Sequence, residues 1–316
     1  MEYRKLISFG RNSFVISLPK AWIRHNKLQK GDLIYVDEKE SNLILGIKEH
    51  DVASEKSTTI EVDDKSISQL RREINAVYIE NYRQITLIGS QLKEKSEELL
   101  KLVRELIALE VLEIDSKKII TKDFLSMEKV SVAELIKKMD MIVRSMSKDC
   151  MECFNEDNVS NIILRDKDVN RISFLIYRSI RFGLKNPSIT LKNFDLFPSD
   201  LLNLYLITFQ LEKIADETKR ISRGMLKTKI SNKEKEEFVK LLLETEKLYL
   251  EFIKSYYKKN RDQALLLSNK KTQIIKKINN FSNTIDNKDE GFIYMIDRFR
   301  HLIGCIHEMG RLIYQN

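Results

Sequence analysis

The chain has 316 residues, 42% of them hydrophobic and 32% charged, with a formal net charge of +8. That length suggests two or three domains with ordinary cores, and only nine glycines and three prolines favour long helices over many turns. No apolar run reaches membrane-spanning length, no signal-peptide pattern opens the chain, and three cysteines do not make a disulfide framework. The expectation is a cytoplasmic protein without membrane insertion.

The first fifty residues set the organisation. Alternation and β-branched residues predict strands at Arg4 to Ser8, Phe14 to Leu18, Leu33 to Asp37 and Leu43 to Ile47. Gly10 opens a turn between the first two. Pro19 ends the second strand and starts a short helix, Lys20 to Asn26. Lys30-Gly31-Asp32 forms the next turn, with Gly31 supplying the permissive backbone. Residues 1–30 hold seven basic side chains against Glu2, a net +6 of the chain's +8. Such a concentrated excess is a footprint for a polyphosphate, above all DNA. The alternative is a solvated basic rim on a small β-domain.

Four short motifs recur in order here: Arg4-Lys5, Gly10-Arg11-Asn12-Ser13, Leu18-Pro19-Lys20-Ala21-Trp22 and Leu28-Gln29-Lys30-Gly31-Asp32. Over residues 3–47 the pattern resembles the swapped-hairpin DNA-binding domain of the AbrB, SpoVT and MazE type. The resemblance implies a homodimer whose two chains interleave hairpins into one small barrel. It also implies double-stranded DNA gripped from the first strand and its turn. The candidate DNA-binding residues are Arg4, Lys5, Arg11, Asn12, Ser13, Lys20 and Arg24. A lone unit of this size buries too little to be stable, so dimerisation would supply the missing core. Arginine forks suit both phosphate and guanine edges. Some relatives use the fold only to pair subunits.

Lys48 to Ser57 is polar and reads as a linker. Beyond it, Thr58 to Val62 is a strand, Ile67 to Tyr78 a helix and Gln84 to Ile88 a strand closed by Gly89-Ser90. Lys93 to Leu109 is an amphipathic helix, and Glu110 to Asp115 with Lys118 to Asp123 forms a hairpin. The order β-α-β-α-β-β suggests a small α+β domain over 58–125, a spacer or sensor. It holds no phosphate-binding glycine loop and no nucleophile elbow.

From Ser131 the chain reads as helix only: Val132 to Asn155, Ser160 to Phe182, Pro198 to Leu226, Lys233 to Lys259, Arg261 to Phe281 and Glu290 to Tyr314. Two groups of three antiparallel helices, 131–227 and 232–316, make a duplicated bundle over 131–316. Asn155-Glu156-Asp157-Asn158-Val159 and Asn260-Arg261-Asp262-Gln263-Ala264 are its matching inter-helix turns. The fold class is therefore α+β multidomain: an N-terminal β-barrel, a small α+β middle domain and an all-α bundle.

Glu212 and Asp216 stand four apart, so both carboxylates project from one helical face. Such a pair can hold a hard cation, or iron if further oxygens arrive from another helix. The alternative is a solvated face, with Asp216 paired to Arg220 one turn on. Cys150 and Cys153 lie on the apolar stripe of their helix. A single Cys-x-x-Cys is a weak zinc signal, and buried structural cysteines are the plainer reading.

The duplicated bundle, the Arg165-Asp166-Lys167-Asp168-Val169 segment and Leu211-Glu212-Lys213-Ile214-Ala215-Asp216 are together similar to PhoU proteins. That resemblance implies regulation of phosphate uptake, through phosphate-transport or signalling partners. It also implies metal, iron, zinc or magnesium, at Glu212 and Asp216. In the second repeat His301 and Cys305 stand where the family would have acids, so the second cluster is lost or changed. No Ser-His-acid, Cys-His or cofactor loop is recognisable, and no enzyme activity is expected. The sequence reading is a DNA-binding regulator of phosphate homeostasis. Its alternative is a PhoU-type adaptor that uses the barrel only to dimerise.

Overall fold

A computed structural model describes residues 3–11, 13–39, 42–47, 56–154, 158–286 and 288–315. The chain divides into two compact units, Met1–Ser54 and Glu55–Asn316.

In the first unit, β1 (Ile7–Phe9) pairs antiparallel with β2 (Ser13–Val15), placing Ile7 opposite Val15 and Ser8 opposite Phe14. Gly10 turns between them at φ +73, where an L side chain would be strained. Helix α1 (Lys20–His25) follows Pro19, and Gly31 takes φ +100 in the next turn. A second hairpin joins β3 (Ile34–Lys39) to β4 (Asn42–Ile47). Among the described residues strands pair only within each hairpin, giving two separate two-stranded sheets. The expected barrel is therefore not closed among the described residues. No described side chain in this unit is buried: Phe9 is 68% exposed, Phe14 67% and Leu33 77%. A hairpin alone is marginal in water, because one apolar face stays wet.

The second unit begins with a four-stranded mixed sheet in the order β5 (Ser57–Glu61), β6 (Gln84–Ile88), β8 (Lys118–Asp123), β7 (Leu109–Ile114). Strands β5 and β6 run parallel, and the other pairs are antiparallel. Helix α2 (Ile67–Ile79) starts with a capping box, in which Ser66 and Gln69 satisfy each other's backbone N–H. Helix α3 (Leu92–Arg104) ends one turn earlier than its apolar pattern predicts, as the chain turns through Ala108 at φ +64. Ile60, Ile85, Leu87 and Ile119 from the sheet pack with Leu70, Ile74, Leu99 and Leu102 from the helices.

The rest is helical: α4 (Val132–Glu152), α5 (Val159–Lys185), α6 (Pro187–Phe194), α7 (Pro198–Lys227), α8 (Asn232–Tyr257), α9 (Arg261–Leu267), α10 (Lys270–Thr284) and α11 (Glu290–Gln315). Starts are fixed by caps. Ser231 and Glu234 form a capping box on α8. Asp289 accepts from Phe292 N at 2.6 Å and from Lys229 N at 2.8 Å, tying the start of α11 to the loop between the repeats. One continuous core runs through the bundle, from Ile136 and Met139 on α4 to Phe299 and Ile303 on α11. Helices α7 and α11 approach closely because Gly224 faces Met295; a Cβ there would stand 2.9 Å from the Met295 Cβ. No helix among the described residues is long and apolar enough to cross a membrane.

The sheet and the bundle are joined through a buried arginine. Arg178 on α5 donates from NH2 to Asp123 Oδ2 at 2.6 Å, and neither side chain is exposed. Its Nε donates to Asn81 Oδ1, Asn81 returns a hydrogen bond to the Arg178 carbonyl, and its guanidinium lies 4.5 Å from the Tyr78 ring centroid. Burying both charges is tolerable because they meet each other; the second guanidinium nitrogen, NH1, is buried without a hydrogen-bond partner.

Candidate functional site

Helix α5 turns a buried stripe of Ile162, Asp166, Val169 and Ser173 toward the bundle interior. Helix α7 answers with Leu211, Ile214, Ala215 and Thr218, flanked by charged neighbours. Asp166 is only 5% exposed, so a carboxylate at that depth needs a counter-charge. Lys219 supplies it. The Lys219 ammonium donates to Asp166 Oδ2 at 2.6 Å and lies 2.8 Å from Asp216 Oδ1. Burial alone would push this ammonium's pKa down; its hydrogen bonds to Asp166 and Asp216 outweigh that and hold it above the usual lysine value.

The pairing continues across α7. Asp216 Oδ2 meets Arg220 NH2 at 2.5 Å, and Arg220 NH1 donates to Glu217 Oε1 at 2.9 Å. Glu217, buried at 6% exposure, faces α11 and lies 3.6 Å from Arg298 NH1, which in turn pairs with Asp297. Acids and bases alternate from Asp166 through Lys219, Asp216, Arg220 and Glu217 to Arg298. The ladder crosses three helices and so links the first repeat to the second.

Glu212 stands one turn before Asp216, as its spacing requires, but is engaged separately. Tyr177 of α5 donates its hydroxyl to Glu212 Oε2 at 2.8 Å. Burial holds the Glu212 carboxyl above the usual carboxylate range, against the Tyr177 hydrogen bond, and the charge of Asp216 adds to the rise. Burial, then the Glu212 charge, pushes the Tyr177 phenol well up.

The residues present do not fit a metal at the expected pair. Both Asp216 oxygens are committed to cations, and Glu212 is held by a phenol. Among the described residues no group of three or more His, Cys, Asp or Glu is placed to hold an ion. Cys150 and Cys153 are both buried. Cys150 Sγ sits 3.8 Å from the Thr218 carbonyl, and burial pushes its thiol up. His301 is exposed and Cys305 half-buried, and burial raises the Cys305 thiol as well.

The sequence singled out Glu212, Asp216 and the Asp216–Arg220 pair, and missed Lys219. Its signals were a lysine three residues after Asp216 and an aspartate inside the apolar stripe of α5. At the N-terminus, Arg4, Lys5, Arg11, Ser13, Lys20 and Arg24 are all exposed. Arg11 sits in the β1–β2 turn, and Lys20 and Arg24 lie one helical turn apart on α1. Asn12 lies outside the described residues.

Comparison with known families places a PhoU domain at residues 136–225. That span runs from α4 through α7 and contains Asp166, Glu212, Asp216 and Lys219. A solved structure, PhoU from Pseudomonas aeruginosa, aligns over 58% of this chain and 90% of its own, at 14% identity and a TM-score of 0.41. No curated protein matches the sequence. The family match defines the class: a mostly helical protein carrying a PhoU-like domain.

Proposed function

We propose that the chain is a PhoU-type regulatory adaptor of phosphate homeostasis, acting on phosphate-transport or signalling proteins and paired through its N-terminal unit. The PhoU domain match over 136–225 carries the reading. Pairing is supported by the N-terminal hairpins, where large apolar side chains among the described residues, Phe9, Phe14 and Leu33 foremost, are more than half exposed. About 25 cal/mol is gained per Å² of apolar surface removed from water, which drives such faces together. A second copy with interleaved hairpins supplies matching strands and closes the barrel, and no catalytic step is assigned to either unit.

A second reading keeps the same pairing and adds duplex DNA. It is favoured by one observation: Arg4, Lys5, Arg11, Lys20 and Arg24 are all solvent-facing. Phosphate contacts made by such side chains weaken linearly in log affinity with log salt.

The two readings separate in one experiment on the full chain. The host strain lacking the protein is complemented with wild type or with Arg4→Ala/Arg11→Ala, and phosphate uptake is followed on phosphate shift-down. The adaptor reading expects the variant to restore regulation fully. Loss of regulation together with lost duplex binding and a flattened salt slope in a mobility-shift titration transfers the function to DNA. Normal phosphate regulation in the strain lacking the chain overturns both.

A further inference from the structure

The acidic face of α7 already contains its own cation. Asp166 and Asp216 come from different helices, yet one oxygen of each stands within hydrogen-bond distance of the same nitrogen, Lys219 Nζ. A buried carboxylate, Asp166, and a partly exposed one, Asp216, repel unless a positive charge lies between them. A divalent ion is the other solution to that problem, and a hard cation would ask for about six oxygens. The oxygens here are spoken for: Asp216 Oδ2 by Arg220 and Glu212 Oε2 by Tyr177. Most of both side chains is covered, with 14% of the Lys219 side chain and 8% of the Asp166 side chain exposed, and the ammonium is held by two carboxylates at once.

We infer that Lys219 occupies the place a divalent metal would take between Asp166 and Asp216, making the bundle metal-independent. The substitution is chemically coherent. A covalently attached ammonium neutralises the pair at every metal concentration, whereas a bound ion would make the α5–α7 contact depend on metal supply. The ladder beyond Asp216 then carries the same fixed charge balance to Glu217 and α11. A bundle wired this way takes its signal through a partner or another ligand, not through occupancy of this site. The inference concerns these helices alone and stands under either reading of the function.

The test uses full-length wild type and Lys219→Met, both stripped with chelator, with manganous ion as the probe. Thermal unfolding and calorimetric titration are read on each. For the wild type, the expected result is an unfolding midpoint unchanged by chelator or Mn²⁺, and no saturable binding. Lys219→Met should unfold at lower temperature without metal. It should bind about one Mn²⁺ per chain at least tenfold more tightly than wild type and recover its midpoint on binding. Adding Asp166→Asn to that variant should abolish the binding. Saturable Mn²⁺ binding by the wild type that Asp216→Asn removes would overturn the inference, as would a folded Lys219→Met that ignores the ion. If Lys219→Met folds only with Mn²⁺ present, the inference is upheld. If it fails to fold either way, Lys219→Gln is titrated instead, and its indifference to Mn²⁺ counts against the inference.

Discussion

Arg178 and Asp123 meet at 2.6 Å with both side chains fully buried, one on a bundle helix and the other at the end of a sheet strand. They lie 55 residues apart in the chain. Removing one partner strands the other. Arg178→Met is expected to cost about 3 kcal/mol, because Asp123 would lose its nearest counter-charge in a site closed to water. Arg83, 3.4 Å from the same carboxylate oxygen, tempers the loss. Replacing both, as Arg178→Met/Asp123→Leu, should return most of that stability. Urea unfolding of the two variants measures this; a double variant no better than the single one would show that the pair does more than balance charge.

The Glu212–Tyr177 pair makes a pH prediction with a definite sign. The folded-state pKa of Glu212 is raised, chiefly by burial, so folding favours its protonated form. Its contribution is fully present below the unfolded value of roughly 4.3 and is lost as pH rises through the higher folded value. Glu212→Gln cannot ionise. Relative to wild type, the variant should therefore gain stability as pH rises across that window and hold a constant difference above it. Urea midpoints between about pH 4 and pH 8 check this; a difference that shrinks with rising pH contradicts the assignment.

Two glycines on α11 should respond in opposite directions. At Gly310 a Cβ would lie 2.3 Å from the ring of Phe252, which is fully buried and has no room to turn. Gly310→Ala should destabilise by about 1–2 kcal/mol, overpacking outweighing the helix gain. At Gly304 nothing lies within 4 Å, so Gly304→Ala should stabilise by up to about 1 kcal/mol. Thermal unfolding of the two variants side by side separates packing from propensity.

The N-terminal hairpins make a prediction about association. Phe9 and Phe14 stand exposed on adjacent strands, in neighbouring positions of the β1–β2 register. Phe9→Ser/Phe14→Ser should shift the protein from dimer to monomer in light scattering behind size exclusion. The bundle's circular-dichroism melt should be unchanged, because its core runs through other residues. A wild type that is monomeric at tens of micromolar removes the pairing from the proposed function.

Much of the fold is legible in the sequence. The β-α-β-α-β-β order and the long helices follow from apolar periodicity of two and 3.6. The N-terminal turns follow from Gly10 and Gly31. Three features escape the pattern. Helix α6 is a single short segment entered through Pro187, with too few turns to show a stripe. The break between α9 and α10 at Ser268-Asn269 carries no proline or glycine, so the periodicity reads straight through it. Strand partnership is the third: among the described residues each N-terminal strand pairs within its own hairpin, and alternation specifies a strand's faces without naming the strand beside it.

The sequence by itself determined where the helices run, that positive charge crowds the amino end, and that Glu212 and Asp216 share a face of α7. These are local properties, written in the spacing of neighbours along one chain segment. Tertiary structure alone decided which charges neutralise each other between helices. Lys219 could have faced water; packing of α5 against α7 brings it to an aspartate 53 residues away. Packing against α11 turns Glu217 toward Arg298 in the same manner. An ion pair between helices depends on how the cylinders are rotated and offset, which the whole core sets and no single segment records.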